Sequence, residues 1–174
     1  EVDAMSKFMI AIAFLLAAAC LAFAFRTAAS LGPHPRKVRI VLGGLAATAM
    51  GAGMWAVHTL AGIAGNFIGS DLSFDFWMMI LAVIMPILSS YAAIVAASAP
   101  LAVGARSFIA GIVMTLALCL THFIGFYAFH ADKLISHNYT QFPFSILFAM
   151  MMASAAFFLF LDERFGRGGA AHAG

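Results

Sequence analysis

Five long apolar runs, at about 8–25, 40–63, 76–98, 108–129 and 143–161, alternate along the chain with short polar connections. A membrane-spanning helix needs about 20 mostly apolar residues, and each run reaches that length almost free of charge. The runs are too long and too uninterrupted for the tilted strands of a barrel. The pattern therefore predicts an all-α, polytopic membrane bundle of about five transmembrane helices. Two of the runs are broken by an imidazole: His58 closes Gly51-Ala-Gly-Met-Trp-Ala-Val-His58 in the second, and His122 sits inside Leu118-Cys-Leu-Thr-His-Phe-Ile-Gly-Phe126 in the fourth. An ionisable group inside a span is expensive and is by default a functional candidate.

Basic residues near span ends set orientation. Arg26, Arg36, Lys37 and Arg39 lie between spans 1 and 2, Arg106 between spans 3 and 4, and Arg164 and Arg167 after span 5; the other side holds Lys7, Lys133, Asp71, Asp75 and Asp132. The N-terminus is thus expected outside and the C-terminus in the cytoplasm. Residues 1–7 read as an extracytoplasmic tail, 8–161 as the bundle, and the Gly- and Ala-rich 162–174 as a disordered cytoplasmic tail or linker stub. Spans 2 and 4 then run in the same direction. At about 1.5 Å rise per residue, His58 and His122 come to nearly the same depth in the outer leaflet.

Helical faces carry the pairing further. At about 100° per residue, Gly44, Gly51, Met54, Trp55, His58 and Gly62 share one side of span 2, and Thr115, Cys119, His122, Phe126 and His130 one arc of span 4. Span 3 aligns Asp75, Met78, Ala82, Met85 and Ser89 and carries Pro86, a kink. A weak internal repeat pairs span 1 plus the His58 span with span 3 plus the His122 span, leaving span 5 as half of a third unit.

Composition excludes the soluble classes: 64% of the 174 residues are hydrophobic, 9% are charged, and mean hydropathy is +1.04. Cys20 and Cys119 both fall inside spans, so no disulfide scaffold is expected. No Lys/Arg run points to nucleic acid. No nucleophile elbow, phosphate-binding glycine loop or carboxylate pair appears, and no residues are assigned to an enzyme's chemistry.

The remaining chemistry is that of a ligand set. Neutral imidazoles suit copper, zinc or iron, and soft sulfur favours Cu(I). His58 and His122, with Met54 and Cys119 as softer donors and Trp55 and Phe126 as shields, would form a small metal site. Two histidines from different helices could also clamp a haem iron, as in a b-type electron carrier. In the plainer alternative each imidazole only bonds a neighbouring helix, through Thr115, Ser89 or a backbone carbonyl, as in an accessory subunit of a larger complex. A secondary cluster, His130, Asp132 and His137, lies between spans 4 and 5, and Asp75 either orients an imidazole or caps its own helix.

The paired spans, Gly-Ala-Gly-Met-Trp-Ala-Val-His58 and Thr-His122-Phe-Ile-Gly-Phe126 resemble the MHYT domain, a bacterial integral-membrane sensor module named for a repeated Met-His-Tyr-Thr motif. Val57 and Thr121 stand where the family has Met, Thr59 and Phe123 where it has Tyr, and two and a half units stand where it has three. The resemblance implies a multi-pass protein of the bacterial inner membrane that holds copper through its motif histidines. It further implies a response to O2, CO or NO, with the signal passed to a partner membrane or cytoplasmic signalling chain.

Overall fold

In the computed structural model, which describes residues 2–32, 34–66, 74–128 and 142–170, the apolar runs become five helices. They are α1 (Val2–Ala29), α2 (Arg36–Asn66), α3 (Phe76–Ala97), α4 (Val103–Ala128) and α5 (Phe142–Ala170). Each contains a segment long and apolar enough to cross a membrane, and no strand occurs among the described residues. Two boundaries differ from the sequence reading. The first helix already begins at Val2, and α5 runs on to Ala170 where a disordered tail was expected after Leu161. Once nucleated, a helix gains one backbone bond for each residue it adds, so its ends need not coincide with the ends of the apolar stretch.

Each helix packs against its neighbours in sequence, α1 most extensively on α2 and α3 on α4, and α2 also touches α4. Ser6 near the start of α1 donates its hydroxyl to the carbonyl of Ala64 near the end of α2, at 2.6 Å. The amide of Asp75, just before α3, likewise donates to the carbonyl of Ala128, the last residue of α4, at 2.8 Å. Both pairs are therefore antiparallel. Gly43 lies by Tyr91 and Gly51 by Ile87, so α2 and α3 are antiparallel too. It follows that α2 and α4 point the same way.

Small residues let the helices approach closely, the usual means of association where lipid gives no hydrophobic drive. A Cβ added to Gly53 would lie 2.9 Å from Cβ of Cys20 in α1, and one added to Gly111 would lie 2.7 Å from the backbone nitrogen of Ser154 in α5. The core is correspondingly fine-grained: Ala24, Ala28, Ala46, Ala47, Ala93, Ala97, Ala110 and Ala117 pack around Met50, Met114, Phe157 and Leu161. Near the basic end of the bundle, Phe25 of α1 stacks on Phe160 of α5 at 4.8 Å and meets Phe157 edge-on at 6.0 Å. These contacts join the first helix to the last.

A register of 64 residues relates α2–α3 to α4–α5. It matches Ala46 with Ala110, Met50 with Met114, His58 with His122 and Ala64 with Ala128, all of them buried apart from the half-buried histidines, and it carries on to Ser90 and Ser154. The repeat thus begins with the histidine-bearing helix and continues into the next one. That is a different phase from the pairing read off the Ala-rich first spans.

Candidate functional site: a histidine pair between α2 and α4

Parallel α2 and α4 carry their histidines at corresponding positions, six residues before the carbonyls of Ala64 and Ala128 that anchor the preceding helices. The consequence is direct contact. The rings of His58 and His122 lie 5.6 Å apart between centroids, with their planes inclined at 73°. Side chains on a helix lean towards its N-terminus, so the His58 ring hangs over the turn that begins at Met54 and Trp55. Around His122, Phe126 lies at 6.2 Å and Phe123 at 5.6 Å between centroids, and Phe123 in turn meets Phe142, the first residue of α5, at 5.4 Å.

Two buried ring nitrogens of α2 stand out. Nδ1 of His58 is buried and has no hydrogen-bond partner among the described residues; Nε1 of Trp55 is in the same condition one turn away. The Met54 carbonyl, one turn back along α2, is an electrostatic neighbour of His58 but does not make a bond of hydrogen-bonding geometry with its Nδ1. Buried polar atoms in native proteins are nearly always satisfied, so these two nitrogens stand out beside the second imidazole.

One of the hydroxyls proposed as interhelical partners is otherwise engaged. Thr115 donates to the carbonyl of Gly111 at 2.8 Å, within its own helix, and the adjacent Thr121 donates to Ala117 in the same way. On α3 the fully buried serine is Ser90, not the half-buried Ser89, and its hydroxyl reaches the sulfur of Met54 at 3.9 Å. Asp75 takes the simpler of its two roles. It is exposed, caps α3 and accepts from the amide of Met78 at 3.0 Å.

The other sequence candidates are distributed as follows. Cys119 is a free, half-buried thiol one turn before His122. Among the described residues no three His, Cys, Asp or Glu side chains converge, so Cys119 does not complete a triad with the two histidines. Gly125 has open space where a Cβ would stand. His130, Asp132 and His137 lie outside the described residues. Sequence reasoning missed Ser90 and Gly53, although the 64-residue register that equates Ser90 with Ser154 was available in the sequence.

One comparison with known proteins bears on this geometry. The stretch from 116 to 173, which takes in His122 and all of α5, matches the family model MHYT, described as the bacterial signalling protein N terminal repeat. Over that stretch the chain is similar to an MHYT repeat. This repeat opens in the histidine-bearing helix and runs through the one after it, the phase that the 64-residue register shows independently. By that register α2–α3 corresponds to α4–α5. No curated protein and no solved structure matches the chain. The chain is accordingly a bundle of membrane-spanning helices in contact with the bilayer, and its last third is similar to a bacterial signalling repeat.

Proposed function

We propose that the chain is a sensing module of the bacterial inner membrane in which His58 and His122 hold one metal ion, copper as Cu(I), near the outer face. The observation that carries this reading is the ring separation. With metal–nitrogen bonds of about 2.0–2.1 Å and a ring centroid about 1.1 Å behind each nitrogen, two imidazoles on one ion have centroids roughly 5–6 Å apart. The 5.6 Å between the His58 and His122 centroids lies in that window. The Met54 carbonyl beside the His58 ring favours a proton on the nitrogen that faces it, which would leave the lone pair of the other ring nitrogen for a ligand bond. Copper is favoured over zinc because the nearby additional donor, Met54, is a thioether, a soft ligand that suits Cu(I).

A bis-histidine haem fits less well, since α2 and α4 touch each other and a macrocycle needs a slot between the helices. A copper ion with two protein nitrogens retains open positions for O2, CO or NO, and occupancy would be passed on through a partner chain. The test is anaerobic titration of the protein in nanodiscs with Cu(I) against a competing chelator. One equivalent bound, with affinity sharply reduced in both His58→Ala and His122→Ala, supports the reading. Absence of binding, or affinity unchanged by both substitutions, contradicts it.

A further inference from the structure

The sulfur of Met54 has a defined resting place. Ser90 is completely buried on α3, and its hydroxyl points at this thioether, 3.9 Å away. The contact depends on the close crossing of α2 and α3, where a Cβ on Gly51 would collide with the backbone of Ile87 at 2.5 Å. Met54 and His58 are four residues apart on α2, with Cβ atoms about 5–6 Å from each other. A flexible, unbranched side chain therefore stands within one turn of the histidine pair, tied by a weak bond that it can exchange.

The repeat supplies an internal control. In the α4–α5 half, Leu118 occupies the position of Met54, while Ser154 preserves the serine. The Ser154 hydroxyl is buried and has no hydrogen-bond partner among the described residues. The serine hydroxyl is thus satisfied only where the thioether is present. Two imidazoles and a single sulfur make the donor set asymmetric.

We propose that Met54 is the sulfur donor of the His58–His122 site, and that Ser90 is a positioning residue which docks the thioether while the site is empty and releases it to a soft monovalent cation. This rests on the metal reading above and selects Met54 over Cys119. Loading exchanges an O–H···S hydrogen bond for a sulfur–metal bond. It also frees the Ser90 hydroxyl and alters the contact between α2 and α3. Hard divalent ions have no use for the thioether and do not drive the exchange.

The test uses Ag(I), a redox-inert soft cation, on the full chain in nanodiscs, combining affinity by competition with X-ray absorption at the silver edge. The wild type is expected to show nitrogen neighbours and one sulfur. In Met54→Leu the sulfur disappears and affinity falls by about ten- to a hundredfold. Cys119→Ala keeps the sulfur. Ser90→Ala also keeps it and binds about two- to tenfold more tightly, because the competing hydrogen bond has gone. Methyl carbon resonances of the methionines, recorded without metal, confirm that each variant is folded and that Ser90→Ala shifts the Met54 signal. Silver held by two nitrogens without sulfur, sulfur surviving in Met54→Leu, or weaker binding in Ser90→Ala overturns the inference while leaving the histidine pair standing. No silver bound in the wild type overturns both.

Discussion

Gly51 and Ile87 bring the backbones of α2 and α3 together at a point where no side chain fits: a Cβ on the glycine would lie 2.5 Å from the Ile87 nitrogen and 2.6 Å from its Cα. Backbone cannot swing aside as a side chain tip can. Gly51→Ala should therefore force the helices apart, with an overpacking cost of about 1–3 kcal/mol. Gly44→Ala provides the control, since nothing lies within 4 Å of the added carbon. There the better helix propensity of Ala is expected to raise stability by up to about 1 kcal/mol. Thermal unfolding of both variants in detergent micelles checks the opposite signs. Equal effects would show that α2 and α3 do not cross at Gly51.

Ser154 presents the reverse case. Its buried hydroxyl has no partner among the described residues, and its backbone lies against Gly111. An unmade hydrogen bond in a dry interior costs about 1–3 kcal/mol, so Ser154→Ala is expected to raise unfolding stability by about 1 kcal/mol. Gly111→Ala should lower it, because the new methyl meets the Ser154 backbone. Equilibrium unfolding in mixed micelles measures both. A destabilised Ser154→Ala would mean that the hydroxyl is bonded in the membrane.

Asp75 separates capping from metal chemistry. Its carboxylate accepts from Met78 at the start of α3, and the site histidines lie on other helices. Asp75→Ala should lose about 1 kcal/mol of stability, Asp75→Asn only a few tenths, and Cu(I) affinity should be the same in both. A fall in affinity without a fall in stability would give the carboxylate a part in orienting an imidazole.

The five spans and the meeting of His58 with His122 could be read from the sequence, because both follow from simple geometry. Apolar runs report the number and order of the helices, and equal distances from the ends of co-oriented helices report equal depth. The inner face of α3 was less accessible. An arc drawn from Asp75 takes in Ala82, which is buried, but goes on to Met85 and Ser89, whereas the protein buries Pro86, Ser90, Ala93 and Ala97. Asp75 was a poor anchor for that arc, since its side chain turns back to its own helix as a cap. Gly53 escaped because its partners, Cys20 and Ala17, belong to α1, whose even covering of apolar residues gives no sign of a buried stripe. The phase of the repeat was obscured by the Ala-rich first helices, which resemble one another in composition. The matches that decide the phase are sparse: His58 with His122, Met50 with Met114, and Ser90 with Ser154.

The central claim is that two rings 5.6 Å apart bind the same ion. X-ray absorption at the copper edge of the Cu(I)-loaded chain tests it most directly, because multiple scattering from imidazole counts the histidines on the metal. The account predicts two imidazoles in the wild type and one in each of His58→Gln and His122→Gln, at one copper per chain. An imidazole count unchanged by either substitution would contradict it.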